Sequence, residues 1–223
     1  MNEGKVHASQ FVRQIVLLIT INLLIKPFYI FGIDVGIFNA VGSDAYGLFW
    51  VLMNFIYIFS ILNDLGLQQF NNRMISQNPV LIRKYLPKIL TYKLGLSLIF
   101  VLVVTATGFI MGYVQKYPIL FFLIVFNQIL DSGFLFLRSN IAGLGRYTQD
   151  SLLSVSDKLF MILICGSLLI WWYDEITILH FILAQTTSFL LAIILAFISL
   201  KSHAHTWLQV NTAAFRWSLF NTS

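Results

Sequence analysis

Six runs of mostly apolar residues, each long enough to cross a lipid bilayer, dominate the sequence. A helix needs about 20 such residues to span a membrane, and only helices and closed barrels can do so. Barrel strands would alternate polar and apolar residues, but the run LSLIFVLVV at residues 96–104 does not. We therefore predict an all-α integral membrane protein with six transmembrane helices. These are spans 1 to 6, near residues 12–33, 46–69, 88–113, 118–138, 150–173 and 176–200.

Composition excludes an ordinary soluble domain. Hydrophobic residues make up 58% of the chain and charged residues 10%, whereas a soluble domain is about 25% charged. The net charge of +5 does not indicate a nucleic-acid partner, because the basic residues fall in short clusters between apolar runs. The single cysteine, Cys165, lies in an apolar run. It excludes a disulfide framework, and we expect a small buried side chain there.

The distribution of lysine and arginine predicts the orientation. They precede span 1, occupy the links between spans 2 and 3 and between spans 4 and 5, and follow span 6. The links between spans 1 and 2 and between spans 5 and 6 contain acidic residues but no lysine or arginine. The link between spans 3 and 4 contains one basic residue, Lys116. Because positive residues favour the cytoplasmic side, both termini are predicted to be cytoplasmic. We expect span 1 to be retained rather than cleaved as a signal peptide.

The stretch SILNDLGLQQFNNR, residues 60–73, ends span 2. Asp64 follows Tyr46 by 18 residues, or about 27 Å of helix, which brings it close to the inner boundary. The amides after it mark the exit from the membrane. We expect Asp64 to hold this end of the helix through nearby backbone groups or Arg73.

Ionisable residues inside spans are costly and usually face a cavity. Lys26 precedes Pro27, which suggests a kink. Its side chain either reaches the outer headgroups or lines a cavity for a pyrophosphate-linked sugar. In span 4, Asn127, Asp131 and Arg138 share one helical face. They form either a stripe that lines a cavity or a structural pair.

Asp157 and Lys158 lie early in span 5. Neighbouring residues point about 100° apart on a helix, so we expect no ion pair between them. One of the two is expected to meet Asp131 or Arg138 of span 4. The alternative is that both reach towards the inner interface.

Four short motifs resemble those of bacterial polysaccharide repeat-unit (O-antigen) flippases, in the multidrug/oligosaccharidyl-lipid/polysaccharide exporter superfamily. They are VGSDAYGLF at residues 41–49, LNDLGL at 62–67, RSNIAGLGRY at 138–147 and the pair DK at 157–158. The resemblance implies a transporter of twelve to fourteen spans in two six-helix lobes. This chain would form one lobe, residues 1–205. Residues 206–223 would be an interfacial segment that starts a second lobe, and the rival arrangement is a homodimer.

The resemblance implies a flippase for a lipid-linked oligosaccharide in the bacterial cytoplasmic membrane, working by alternating access. Lys26, Asn127, Asp131, Arg138 and Lys158 would line the cavity. Asp131, Asp157 and Asp64 are candidates for ion coupling. The expected partners are this substrate, membrane lipids and the second lobe or copy.

Two alternatives stay open. One is an exporter of small amphipathic compounds, which predicts a more acidic, aromatic-lined cavity. The other is a non-transporting scaffold, which would tolerate neutralising Lys26, Asp131 and Lys158 together. Enzyme motifs and a P-loop are missing from the sequence, so we expect no catalytic residue, metal or cofactor.

Overall fold

The structure is a computed structural model that describes residues 16, 19–79 and 82–201, except for the side chains of residues 83–85 and 87. The predicted interfacial segment, residues 206–223, lies outside the described residues, as do Lys5 and Arg13 near the start of the chain.

The prediction of an all-helical protein with six membrane-spanning helices is confirmed. Within the described residues, six helices are long and apolar enough to cross a bilayer. In chain order, spans 1 to 6 are Ile19–Val41, Ser43–Asn63, Lys88–Ile110, Pro118–Gly143, Tyr147–Trp171 and Ile178–Lys201. Span 3 is the membrane part of a longer helix, Ile82–Ile110, and a short helix, Tyr113–Lys116, links it to span 4.

Span 1 was predicted to end near residue 33, and this boundary is wrong. The helix continues through a π-helical stretch, Tyr29–Asp34, and ends at Val41. Asp34 was expected in the link between spans 1 and 2. In the structure Asp34 lies within interaction range of Tyr29, Tyr46 and Lys158, and such neighbours lower the cost of continuing the helix past it.

Span 2 was predicted as one helix over residues 46–69, but it breaks before that. An α-helix over Ser43–Ile58 tightens into a 3₁₀-helix over Phe59–Asn63. Leu65 and Gly66 then turn the chain with positive φ angles of 45° and 82°. A separate helix, Leu67–Gln77, follows, and we call it the linker helix.

Span 6 packs against spans 4 and 5, and the linker helix packs against span 4. Small residues on span 6, including Ala184, Ser188, Ala192 and Ala196, are buried, and small residues allow helices to approach closely in membranes. Gly143 serves the same purpose for the linker helix, because a Cβ there would lie 3.1 Å from the Asn72 carbonyl oxygen.

The bundle has two chemically different ends. We call one the basic end, because it carries Arg73, Arg146 and Lys201. The opposite, acidic end carries Asp174 and Glu175 between spans 5 and 6. Many large apolar side chains between the ends are exposed, as expected for a surface that faces lipid. The orientation of the ends relative to the cytoplasm stays a prediction.

Candidate functional site

A groove with a volume of about 610 Å³ opens between spans 1, 4 and 5. We call it the cationic groove, because Lys26 of span 1 and Arg138 of span 4 both line it. The other lining residues are Ile19, Asn22, Leu23, Pro27 and Ser154. The Asn22 side-chain amide donates to Ser154 Oγ over 3.1 Å and so joins spans 1 and 5 at the groove.

The Lys26 side chain is exposed. Lys26 precedes Val41, the last residue of span 1, by 15 positions, which is about 22 Å of helix, and it follows Ile19, where the span begins, by seven. Lys26 is therefore nearer the basic end than the acidic end. It lines the groove, and its role there stays a prediction.

Arg138 lies near the basic end of span 4. Its Nε donates to Asp150 Oδ1 of span 5 over 2.8 Å. The ion pair is partly exposed, with 19% of the Arg138 side chain accessible and 17% of the Asp150 side chain. Asp150, rather than Asp131, therefore orients the guanidinium.

Asn127 lies in the interface between spans 4 and 6. Its amide donates to Ile182 O and Gln185 Oε1, each over 3.2 Å, and its oxygen accepts from Thr186 Oγ1 over 2.7 Å. Asn127 lines none of the three cavities described here. The structure therefore gives this residue contacts that join two helices.

A second cavity, of about 300 Å³, lies between the broken end of span 2 and span 4. We call it the acidic pocket, because Asp64 and Asp131 line it. The other lining residues are Tyr57, Ser60, Ile61, Leu65, Gly66, Gln68, Gln128, Ser132 and Leu135.

Asp64 pairs with Lys93 of span 3 at 3.3 Å. The expectation that Arg73 holds Asp64 is wrong, because the Arg73 side chain is exposed and the ion pair is with Lys93. The expectation of a backbone contact is confirmed, since Asp64 Oδ2 accepts from the Gln68 amide over 3.4 Å.

Lys93 is the polar residue that the sequence did not single out. Only 4% of the residue is exposed, and its ammonium also donates to Asn63 O over 3.4 Å and to Ser132 Oγ over 2.7 Å. The sequence indicates only a positive charge just inside span 3. The position of Lys93 inside the span, five residues after Lys88 and 17 before Ile110, was the signal that it needs a polar partner.

Asp131 differs from Asp64 because, in the described part of the chain, its carboxylate takes part in no hydrogen bond or ion pair. It lies within electrostatic range of Lys93, Arg138 and Lys158, and also of Asp157. The expected contact of Asp157 or Lys158 with Asp131 is not formed among the described residues, and the two lie only within electrostatic range of it.

Asp157 and Lys158 do form an ion pair with each other, at 3.3 Å, so the expectation that they would not is wrong. The long lysine side chain bends back and bridges the angle between neighbouring positions. The same ammonium lies 4.8 Å from the centre of the Tyr29 ring, and Lys158 also attracts the Asp34 carboxylate. Neither residue of this ion pair lines the three cavities.

A smaller cavity of about 180 Å³ lies between the other two. It shares Arg138 with the cationic groove, and it shares Gln68 and Leu135 with the acidic pocket. The small cavity is therefore a neighbour of both the cationic groove and the acidic pocket.

Comparison with known proteins identifies the family. A family model described as "polysaccharide biosynthesis protein" matches residues 11–220. The chain belongs to this family. The polysaccharide biosynthesis proteins are a transporter-type family rather than a family of enzymes, and this member is a multi-pass membrane protein. A search of curated proteins found no match, and a search of solved structures found none either.

Proposed function

We propose that this polysaccharide biosynthesis protein moves a lipid-linked oligosaccharide, carried on a polyprenyl pyrophosphate, across the bacterial cytoplasmic membrane for cell-surface polysaccharide assembly. The cationic groove is the observation that supports the proposal. Its two cations, Lys26 and Arg138, lie on different helices and line one cavity. Lysine and arginine are the side chains that bind phosphate groups through charge-assisted hydrogen bonds.

The proposed mechanism is alternating access, with both termini in the cytoplasm and the basic end facing the cytoplasm. The phosphates and sugars enter the neighbouring cavities from that side while the lipid tail stays in the bilayer. A second lobe of the same chain or a homodimer partner completes the cavity, and rocking of the two halves exposes the substrate to the other face. Asp131, Asp157 and Asp64 are the proposed ion-coupling groups.

The first experiment reverses the charge of the groove. Lys26→Glu is expected to reduce surface polysaccharide at least about tenfold and to make lipid-linked repeat units accumulate, because phosphate is repelled. Lys26→Arg, which keeps the charge, is expected to retain most of the activity. Lys116→Glu is the matched control, since Lys116 is an exposed lysine between spans 3 and 4. Unchanged surface polysaccharide in the Lys26→Glu variant would contradict the proposal.

The acidic pocket favours a second candidate, an exporter of small amphipathic cations. Asp64, Asp131 and Tyr57 provide the acidic and aromatic lining that such a cargo needs. This candidate predicts that cells making the protein expel ethidium, and that Asp131→Asn abolishes the expulsion while Lys26→Glu does not. Failure to expel ethidium in cells with a folded protein contradicts it.

A further inference from the structure

The acidic pocket has the composition of a site for a polyhydroxyl ligand rather than for a phosphate. Sugar hydroxyls donate hydrogen bonds, and carboxylates, amides and serine hydroxyls accept them. Asp64, Asp131, Gln68, Gln128, Ser60 and Ser132 all line the pocket. Its volume of about 300 Å³ lies at the lower limit for small-molecule sites, which measure about 300–1,000 Å³.

Two further features separate this pocket from a group of structural acids. Asp64 is neutralised by Lys93, but Asp131 has no hydrogen-bond or ion-pair partner among the described residues, so it can accept from a ligand. Tyr57, on the rim, is 61% exposed. An exposed aromatic ring offers an apolar face and a polar tip to one ligand.

The order of the cavities fits a ligand with two chemically different parts. Arg138 lines both the cationic groove and the small cavity, and Gln68 lines both the small cavity and the acidic pocket. A sugar attached to a pyrophosphate beside Arg138 would therefore extend towards the acidic pocket. A phosphate could not occupy the acidic pocket itself without repulsion from Asp131.

We propose that the acidic pocket is the subsite for the sugar attached to the pyrophosphate, and that it selects a neutral or amino sugar over a uronic acid. This inference rests on the proposed function. Asp131 accepts hydrogen bonds from the sugar hydroxyls, Gln68 and Gln128 contribute amide groups, and Tyr57 covers one face of the ring. A uronic acid is rejected because its carboxylate would lie beside the Asp131 carboxylate, and like charges repel.

The experiment compares three short-chain probes against the whole chain purified into lipid nanodiscs. The probes are geranyl pyrophosphate, the same lipid carrying N-acetylglucosamine, and the same lipid carrying glucuronic acid, each titrated by isothermal calorimetry. The N-acetylglucosamine probe is expected to bind about tenfold more tightly than the sugar-free probe, since each hydrogen bond is worth roughly two- to tenfold in affinity. The glucuronic acid probe is expected to gain nothing over the sugar-free probe.

Matched variants identify the pocket. Asp131→Asn and Tyr57→Ala are expected to reduce the gain from N-acetylglucosamine to about threefold or less, where each gain is measured against the affinity of the same variant for geranyl pyrophosphate. Asp174→Asn and Tyr92→Ala, an exposed acid and an exposed tyrosine that line none of the three cavities, should keep the full gain. Lys26→Glu should weaken all three probes.

The outcomes separate the two proposals. If geranyl pyrophosphate binds and Lys26→Glu weakens it, but the sugar adds no affinity or Asp131→Asn leaves the gain intact, the subsite is refuted and the groove stands. Tight binding of the glucuronic acid probe refutes the selectivity. If no probe binds to a folded protein, the proposed function fails and the subsite fails with it.

Discussion

Replacing Lys93 with methionine tests the polar contact that joins spans 2, 3 and 4. The substitution keeps the length of the side chain and removes its charge. It also removes the bonds of the ammonium to Asp64 Oδ1, Asn63 O and Ser132 Oγ at 3.3, 3.4 and 2.7 Å. What remains is a carboxylate without its counter-ion and a backbone carbonyl without its donor.

The expected loss can be worked out from the exposure of the partners. Breaking a fully buried ion pair costs about 3–5 kcal/mol. The Asp64 side chain is 23% exposed, so part of its charge is solvated, and we take about 2 kcal/mol for it. Losing the short bond to Ser132 adds about 1 kcal/mol. Lys93→Met should therefore lower the free energy of unfolding by about 3 kcal/mol.

Equilibrium unfolding in mixed micelles, followed by tryptophan fluorescence, measures this loss. Lys88→Met is the matched control, because Lys88 lies on the same helix and is exposed, and it should change stability by less than about 0.5 kcal/mol. The double variant Lys93→Met/Asp64→Asn should lose about 1–2 kcal/mol less stability than the two single variants lose together, because it leaves no charge unpaired. Equal stability of the two methionine variants, or strictly additive losses, would refute the reasoning.

Two further predictions concern helix packing, and thermal unfolding measures both. Gly108→Ala should lower stability by about 1–3 kcal/mol, because the added Cβ would lie 2.5 Å from Cζ of the fully buried Phe121. Gly95→Ala is the control and should be neutral or stabilising, because a Cβ there would have nothing within 4 Å. Equal effects of the two substitutions would contradict the argument. Asn127→Leu should cost about 3 kcal/mol, because three hydrogen bonds to span 6 are lost. The exposed Thr187, changed to valine, is the control, and a loss no larger than that control's would refute the assignment.

The number and type of the spans could be predicted from the sequence because a bilayer leaves few solutions. Every backbone polar group in lipid must be satisfied within the protein, so a long apolar run has to form a helix. The apolar runs themselves therefore identify all six spans, although not where spans 1 and 2 end. Trp171, Trp172 and Tyr173 lie beside the acidic end, where interfacial aromatic rings are favoured, and all three side chains are exposed.

The errors concern charged residues whose partners are distant in sequence. Asp34 was placed in a link between spans, although Tyr46 of the next span lies within interaction range of it. Lys93 was counted only as a positive charge just inside span 3, although Asp64 and Ser132 bind it from 29 and 39 positions away. Hydropathy scores each residue alone, so it cannot see that a partner removes the cost of burial.

Most charged residues of the candidate site could be predicted from the sequence, but not how they are grouped in space. The sequence indicated that Lys26, Asp131 and Arg138 are unusual because they are ionisable residues inside apolar helices. It could not indicate that Lys26 and Arg138 line one groove, since that depends on how spans 1 and 4 pack. The helical repeat placed Asp131 and Arg138 on one face, but the ion-pair partner of Arg138 comes from span 5.

The order of residues at the end of span 2 follows from the break in that helix. A helix that ends inside a bilayer leaves carbonyl groups without donors, and lipid cannot satisfy them. A lysine ammonium has three donors, and Lys93 directs them to Asn63 O, Asp64 Oδ1 and Ser132 Oγ. Asp64 also accepts from the Gln68 amide in the first turn of the linker helix, where a negative charge is favourable. One ion pair therefore satisfies both the helix that ends and the helix that begins, and it does so beside the acidic pocket.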